Sequence, residues 1–237
     1  MNSPNNDKLA VLIDADNAQA SPIDELLEEV SRYGTASVKR AYGDWSTPQL
    51  KKWKDELHTH AIKPVQQFAY TKGKNATDSA LIIDAMDLLH TGDLNGFCLV
   101  SSDSDFTPLA ARIREAGLVV YGFGERKTPQ PFVAACDKFI FTDILKPPKA
   151  KSGARKQQSP PEEKLLRNAV DSAAQDDGWA NLGNVGKMLL KNDPSFDSRN
   201  YGFRKLVDLV KAQSYLEVRQ EKTSSGSGGA TISVRLK

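Results

Sequence analysis

The sequence predicts an α/β domain built on a parallel sheet, followed by a small winged-helix domain of the α+β class. Up to about residue 145, short apolar runs alternate with amphipathic stretches, the strand–helix order of a parallel sheet covered on both faces. Beyond residue 161, three helical stretches precede two strands. The charge balance changes as well: residues 1–145 carry 15 Lys and Arg against 20 Asp and Glu, whereas residues 146–237 carry 17 against 10. We therefore expect clustered carboxylates in the first half and a polyanion-binding surface in the second.

The first domain is predicted to cover residues 8–145 as a Rossmann-like α/β/α sandwich. Two of its apolar runs, LAVLI and FCLV, are continuous, which is typical of central parallel strands. The predicted strands are Leu9–Asp14, Ser37–Ala41, Lys63–Phe68, Phe97–Ser101, Leu118–Phe123 and Lys138–Phe141. The predicted helices are Ile23–Arg32, Pro48–His60, Thr77–Thr91, Phe106–Gly117 and Gln130–Cys136. Gly34 and Gly117 lie where helix C-caps are expected.

A basic linker and a winged helix are predicted for the rest of the chain. Residues 146–160 contain three prolines, five basic residues and no acid. This composition suits a soluble spacer and a phosphate-contacting segment equally well. Residues 161–237 are predicted to form helices at 162–174, 181–191 and 203–213. The predicted strands 215–219 and 231–236 would form a hairpin around the Ser- and Gly-rich residues 224–229.

Acidic residues follow two predicted strands of the first domain. Asp14 ends the first strand, Asn17 lies just beyond it, and Asp103 and Asp105 follow the fourth strand. Because groups just past parallel strands converge on one crevice, we expect these side chains to meet there. Asp78, which begins the helix before the fourth strand, is expected to join them. Asp16 is ambiguous from the pattern, and Asp84 falls about 120° from Asp78 around that helix, which excludes it.

Such a cluster favours a divalent cation, because adjacent ionised carboxylates repel one another. Oxygen ligands without a neighbouring histidine or cysteine indicate Mg²⁺ or Mn²⁺ rather than zinc. A carboxylate-held ion of this kind suits phosphodiester hydrolysis. We expect Asp14 and Asp103 to be the first metal ligands, with Asp78 and Asp105 completing the site. A single aspartate in such a position is also compatible with a helix N-cap.

The compartment is predicted to be the cytoplasm. Cys98 and Cys136 lie inside apolar runs without metal-type spacing, so buried, reduced thiols are expected. The first residues lack the basic and apolar segments of a signal peptide, and no apolar run is long enough to cross a bilayer. His58, His60 and His90 show no ligand spacing to one another, and surface or cap positions are expected.

Three motifs carry a family resemblance. The segments LIDADN, YTKGKNATDSALIIDAM and VSSDSDF, in this order, resemble the NYN family of PIN-like nucleases over residues 9–145. The resemblance implies a metal-dependent ribonuclease whose acidic site falls on Asp14, Asp78, Asp103 and Asp105, with Asn17 as a polar companion. It also places Lys72 and Lys74 beside that site, where they would either contact the RNA backbone or remain solvated.

The second domain resembles the OST-HTH or LOTUS family. The segments GWANLGNVGKML and PSFDSRNYGFRKLVDLV carry this resemblance, which implies an RNA-binding winged helix. Independently of it, basic side chains supply the expected electrostatic surface: Lys187, Lys191, Arg199, Arg204, Lys205 and Lys211. Tyr201 would stack on a base or pack in the core. Core packing is expected for Trp179.

Together these features predict a Mg²⁺- or Mn²⁺-dependent ribonuclease that captures RNA through its second domain. Two alternatives remain from the sequence alone. In one, the first domain is catalytically silent and the chain is an RNA-binding adaptor. In the other, the Asp14–Asp16 pair belongs to a phosphatase for small esters, in which an aspartate acts as nucleophile. DNA is not excluded as a substrate, and the sequence carries no information on oligomeric state.

Overall fold

A computed structural model describes residues 7–20, 23–68, 76–145, 161, 163–222 and 230–237. The chain divides into two compact units, Met1–Pro147 and Pro148–Lys237. The predicted linker 146–160 and the predicted hairpin tip 224–229 lie outside the described residues.

The first unit contains a six-stranded parallel sheet, which confirms the predicted α/β class. Its strands lie in the order β3-β2-β1-β4-β5-β6, and every neighbouring pair is parallel. Their bounds are β1 Lys8–Asp14, β2 Thr35–Gly43, β3 Lys63–Gln66, β4 Gly96–Val100, β5 Val119–Gly124 and β6 Lys138–Phe141.

Helices connect these strands at the predicted places. They are α1 Ile23–Ser31, α2 Lys51–Thr59, α3 Ala76–Thr91, α4 Thr107–Glu115 and α5 Gln130–Ala135. Short 3₁₀ turns span Pro48–Leu50, Ser104–Phe106 and Thr142–Ile144. Most ends fall within two residues of the predicted bounds. The predicted Pro48–His60 helix is divided into a 3₁₀ turn and α2.

The sheet is covered on both faces, as a continuously apolar strand requires. Along β1, Leu9, Val11 and Ile13 belong to one core, and Ala10 and Leu12 belong to the core on the opposite face. All five side chains are buried. Successive strand residues point to opposite faces, so β1 has no solvent-facing side from Leu9 onward, and after the exposed Lys8 it carries no polar residue before Asp14.

The two predicted glycine caps differ. Gly117 follows α4 with φ +85, the left-handed conformation that glycine adopts without a steric penalty. Gly34 also follows its helix, and its N–H donates to the Val30 carbonyl oxygen at 3.2 Å, but it does not adopt this left-handed conformation. A Cβ at Gly34 would lie 2.3 Å from the Asp7 carbonyl oxygen. Glycine is needed at that position because the two backbones approach each other closely.

A charged network attaches α3 to the sheet. Arg40 and the Tyr42 hydroxyl, both on β2, donate hydrogen bonds to the two carboxylate oxygens of Asp84 on α3. The Tyr42 side chain is fully buried, and burial, followed by the hydrogen bond with Asp84, raises the pKa of its hydroxyl. Asp84 therefore lies apart from the acidic site, as predicted, and joins the helix that carries Asp78 to β2.

Within its described residues, the second unit contains three α-helices and a three-stranded antiparallel sheet. The helices are α6 Glu163–Ala173, α7 Leu182–Asn192 and α8 Leu206–Lys211. The strands, in the order β7-β9-β8, are β7 Ala180–Asn181, β8 Leu216–Lys222 and β9 Ala230–Leu236. The predicted hairpin is β8 and β9, which pair from Leu216 with Leu236 to Lys222 with Ala230.

The third helix of this unit is shorter than predicted. A 3₁₀ turn, Ser198–Tyr201, precedes it and ends at Gly202, whose φ is +85. Lys205 is extended, with φ −134 and ψ 150, so α8 begins only at Leu206. The apolar pattern from Phe203 onward continues through this bend because Phe203 and Leu206 both pack against the core of the unit.

The cysteines and the helix lengths agree with the sequence expectations. Cys98 and Cys136 are buried free thiols, and burial raises the pKa of both. No helix in the described ranges is both long and apolar enough to cross a bilayer.

Removing the Asp84 carboxylate should destabilise the first unit. In Asp84→Ala, the buried Tyr42 hydroxyl loses its acceptor, so we expect unfolding to become easier by about 2 kcal/mol. Thermal unfolding should show a Tm about 4–8 °C lower. The exposed Asp87 on the same helix is the matched control, and Asp87→Ala should leave the Tm nearly unchanged. Equal Tm values for the two variants would contradict this role.

Candidate metal centre

The acidic residues lie where the strand order reverses. From β1 the chain continues outward through β2 and β3, and from β4 it continues in the opposite direction through β5 and β6. The carboxyl ends of β1 and β4 are adjacent, with Ile13 opposite Val100. In open parallel sheets, this reversal forms the crevice in which ligands bind. Asp14 ends β1, and residues 101–105 follow β4.

Asp14 is fully buried and held by three donors. The Ser101 hydroxyl donates to Asp14 Oδ2 at 2.8 Å, and the Asn17 side-chain amide donates to the same oxygen at 3.0 Å. The Asn17 backbone N–H donates to Oδ1 at 3.3 Å. Burial raises the pKa of Asp14, while these hydrogen bonds act in the opposite direction. Asp14 thus joins the end of β1 to the first residue after β4.

This burial argues against the phosphatase alternative. A nucleophilic aspartate must reach a small ester, yet Asp14 is 0% exposed. Asp16 accepts a hydrogen bond from the Thr77 hydroxyl at 2.7 Å and faces the start of α3. The pair therefore connects β1 to neighbouring elements and does not present two carboxylates to one substrate.

Three other carboxylates come together in the crevice. Asp78, Asp103 and Asp105 each offer an oxygen, and the three oxygens lie within 4.8 Å of one another. We call these residues the carboxylate triplet. Asp78 is buried, Asp103 is half-buried and Asp105 is exposed. Asp103 also caps the 3₁₀ turn through a 2.9 Å hydrogen bond from the Asp105 N–H. The triplet combines one buried and two accessible carboxylates, an arrangement open to an ion from solvent.

The pKa of Asp78 responds to the other carboxylates of the crevice. Burial, followed by the charges of Asp14, Asp103, Asp105 and Asp16, raises its pKa to about 6. Asp14 is therefore close enough to affect Asp78, although it is not a member of the triplet. Its assignment as a metal ligand remains a prediction, as do those of the triplet residues. Asp16, ambiguous from the sequence, adds a fifth charge to the crevice.

The loop after β4 is fixed by serine and glycine. Besides holding Asp14, Ser101 Oγ accepts a hydrogen bond from the Asp103 N–H at 3.1 Å. Ser102 Oγ accepts from the Glu125 N–H at 2.8 Å. A Cβ at Gly124 would lie 2.6 Å from the Ser101 carbonyl oxygen, so the end of β5 needs glycine there. The sequence pattern alone did not predict this positioning role for Ser101 and Ser102.

A lysine borders the crevice on the β5 side. Lys127 lines an open cavity of about 200 Å³ together with Asn17, Ser102, Asp103, Ser104 and Pro129. Its side chain is 72% exposed and lies 3.0 Å from Glu125. Sequence reasoning assigned phosphate contacts to Lys72 and Lys74 instead. Both of those residues lie outside the described residues, so Lys127 is the cation that the structure places at the crevice.

Basic side chains of the second unit fall into two groups. Lys187, Arg204 and Lys205 are exposed, and within the described part of the chain they form no ion pair. At Gly186, an added Cβ would lie 3.3 Å from Leu206, so α7 and the start of α8 are in close contact.

Two residues that were predicted to contact RNA, Arg199 and Tyr201, make contacts within the second unit. Arg199 donates to both oxygens of Asp197, at 3.0 and 2.7 Å. Tyr201 is half-buried against the core, with its ring centroid 5.8 Å from that of Phe196. Their assignments as RNA contacts remain predictions, although the Arg199 guanidinium is paired with Asp197 and the Tyr201 ring packs against the core. The core alternative weighed for Tyr201 fits the structure.

Trp179 is buried in a way that the sequence did not predict. Its ring lies between the guanidinium carbons of Arg219 and Arg235, at 4.2 and 4.7 Å from the ring centroid. It is 9% exposed, yet it lies outside the apolar core cluster of the second unit. Its burial depends on cation–π contacts with strand arginines.

The raised pKa of Asp78 predicts a pH-dependent stability in the absence of metal. The pKa of Asp78 is about 6 in the folded chain and 3.8, the ordinary aspartate value, in the unfolded chain. The folded chain therefore binds this proton more tightly, and the contribution of Asp78 to stability falls as pH rises from about 4 to about 6. In EDTA at pH 7, Asp78→Asn should therefore raise the Tm by a few degrees. Thermal unfolding between pH 4 and 7, with Asp87→Asn as control, measures the difference. A Tm difference that does not change with pH would contradict it.

Comparisons with known proteins follow the two-unit division. Residues 8–145 match the model of the NYN domain, and residues 158–227 match the OST-HTH/LOTUS domain. The search of curated proteins gave no match.

Three bacterial structures are similar to parts of the chain. A Vibrio parahaemolyticus protein of unknown function is 21% identical over 59% of this chain and 94% of its own, with a TM-score of 0.49. A Nitrosomonas europaea protein is 33% identical over 39% of this chain and 88% of its own, with a TM-score of 0.32. A Chromobacterium violaceum protein is 37% identical over 34% of this chain and 84% of its own, with a TM-score of 0.27.

The NYN match spans more than half of the chain and contains all the residues of the crevice. NYN domains belong to the PIN-like nuclease superfamily, whose members generally use divalent metals. The chain therefore belongs to the NYN family and carries an OST-HTH/LOTUS domain after its NYN domain.

Proposed function

We propose that this protein is a ribonuclease that hydrolyses RNA phosphodiester bonds with Mg²⁺ or Mn²⁺. In this proposal, residues 8–145 carry the chemistry, residues 161–237 bind RNA and residues 146–160 link the two. The observation that carries the proposal is the carboxylate triplet at the reversal of strand order. Three oxygens within 4.8 Å, drawn from two segments, match the donors that hard divalent cations prefer.

The residues of the crevice fit such an ion. The raised pKa of Asp78 reflects burial and, after it, the negative charge of the neighbouring aspartates, and a divalent ion would favour the ionised carboxylate. When bound, the ion would polarise the scissile phosphate and offset charge in the transition state. Asp103 and Asp105 would hold it from the solvent side, with Asp78 behind. Asp14 would keep Asn17 and Ser101 in place, and Asn17 would face the substrate.

The shape of the crevice favours a polymer over a small ester. The open cavity beside Asp103 is about 200 Å³ and is bordered by Lys127, which suits a phosphate backbone running across the surface. A neighbouring cavity behind Asn17 and Ser101 is about 30 Å³, enough for roughly one or two waters and too small for a metabolite. The substrate would therefore lie along the surface.

RNA is the polymer that the second domain favours. Its family match is to the OST-HTH/LOTUS domain, and its exposed cations Lys187, Arg204 and Lys205 can meet phosphates. Binding on a linked domain raises the local concentration of RNA at the crevice without adding contacts there.

Loss of one triplet carboxylate should abolish cleavage without abolishing binding. Asp103→Asn keeps the size of the side chain and removes a negative charge, so we expect metal-dependent cleavage of a labelled single-stranded RNA to fall by about 10²-fold or more. RNA affinity should change little. Asp87→Asn, an exposed change on α3, is the matched control and should cleave like the wild type.

The same assay distinguishes an enzyme from an adaptor. Cleavage should require Mg²⁺ or Mn²⁺ and stop in EDTA. An adaptor would bind the RNA and leave it intact under every metal condition. Cleavage that persists unchanged in Asp103→Asn would also overturn the proposal, because it would point to a different site or to a contaminating nuclease.

RNA binding should depend on Arg204 and Lys205 and not on Arg199. In the full chain, Arg204→Ala with Lys205→Ala should weaken RNA binding by about tenfold and reduce the slope of log K against log salt by about 1–2. Arg199→Ala removes an ion pair with Asp197 and should mainly lower the Tm. Fluorescence anisotropy over a salt series measures this, and a larger loss of affinity in Arg199→Ala would contradict the assignment.

A further inference from the structure

A second group of metal-type side chains lies between α1 and α2 of the NYN domain. Asp24 belongs to the first turn of α1, Glu56 lies on α2, and His60 is the residue that ends α2. One ligand atom from each lies within 4.8 Å of the others. We call these three residues the acid–imidazole cluster. It shares no residue with the carboxylate triplet and no residue with the hydrogen bonds around Asp14.

Two members of the cluster have the spacing of helical metal ligands. Glu56 and His60 are four positions apart, so their side chains lie on one face of α2, one turn from each other. The same i, i+4 spacing places both histidines of a zinc-binding HExxH helix on one ion. Asp24 supplies a third oxygen from a different helix. The cluster thus has the donors for a three-ligand site.

The imidazole nitrogen has the geometry of a metal ligand rather than that of a hydrogen-bond donor. His60 Nε2 lies 3.1 Å from Asp24 Oδ1 and 3.4 Å from Glu56 Oε2. Even so, it is buried and makes no hydrogen bond with any described residue, so its N–H direction meets neither oxygen well. Ligands at ~2.0–2.1 Å from a tetrahedral zinc lie about 3.4 Å from one another. The two observed spacings, 3.1 and 3.4 Å, are close to that value.

We propose that Asp24, Glu56 and His60 form a site for Zn²⁺, distinct from the Mg²⁺ or Mn²⁺ centre. An imidazole among the donors favours zinc, whereas the triplet has oxygen donors alone. Three protein ligands leave a fourth position of the tetrahedron to water. The ion joins the beginning of α1 to the end of α2. The Asp24 side chain is 78% exposed, so an ion can reach the site from solvent.

Sequence reasoning came close to part of this site. His60 was expected at a surface or cap position, and it is the C-cap of α2. Its i, i+4 spacing to Glu56 is present in the sequence, but the prediction rested only on the spacing among the three histidines. Asp24 lies 36 positions before His60, and nothing in the sequence predicted that the two helix ends would meet.

Zinc binding to a variant in which two of the three triplet carboxylates are neutralised tests the proposal. In the full chain with Asp78→Asn and Asp103→Asn, equilibrium dialysis against Zn²⁺ followed by elemental analysis should give about one zinc per chain. Adding His60→Gln should weaken zinc binding by about tenfold or more, because a ligand is lost. The exposed His58, two residues away on α2, is the matched control, and His58→Gln should bind zinc like the parent.

A second variant keeps the test decisive if His60→Gln fails to fold. The Asp24 side chain is mostly exposed, so Asp24→Asn should fold normally and still weaken zinc binding. The proposal is overturned if the parent variant binds no zinc, or if zinc stoichiometry and affinity are unchanged in both Asp24→Asn and His60→Gln. Because these proteins have lost two of the three triplet carboxylates and the comparison measures zinc rather than cleavage, the result is independent of whether the chain is a ribonuclease.

Discussion

Repulsion between carboxylates at the ends of β1 and β4 is the constraint that organises the NYN domain. Five aspartates contribute negative charge to one crevice, and the pKa of Asp78 is raised first by burial and then by the charges of the other four. The fold resists this repulsion with hydrogen bonds that bring no positive charge: Ser101 and Asn17 hold Asp14, and Thr77 holds Asp16. The acidic site is thus rigid but electrostatically unsatisfied. A cation that bound there would relieve this repulsion, which is the physical basis of the proposed metal-dependent activity.

The support for this site reaches well beyond its ligands. Asp78 stands on α3, which Asp84 fastens to Arg40 and Tyr42 of β2. Asp103 stands on a loop whose path depends on Ser101, Ser102 and the close approach of Gly124. The basic residues needed to attract a polyanion are concentrated elsewhere, in the OST-HTH/LOTUS domain. In the proposed function, the acidic crevice carries out the chemistry and the basic surface binds RNA. The two opposite charges therefore lie in different domains and do not neutralise each other.

The sequence predicted the parts of this arrangement that depend on local pattern. Continuous apolar runs identified β1 and β4, and the rule that parallel strand ends converge brought Asp14, Asp103 and Asp105 to one crevice. Contacts between distant segments could not be predicted in this way. The role of Ser101, the pairing of Arg199 with Asp197, and Trp179 between two arginines all depend on side-chain geometry. Gly34 illustrates the same limit, since its need for glycine comes from Asp7 and not from the helix before it.

The central claim is that the carboxylate triplet holds a catalytic divalent ion, and anomalous diffraction from crystals soaked in Mn²⁺ tests it most directly. The account predicts a manganese peak bonded to oxygens of Asp78, Asp103 and Asp105, which disappears in crystals of Asp103→Asn. A crevice without a manganese peak, in crystals of a protein that cleaves RNA under the same Mn²⁺ concentration, would contradict it.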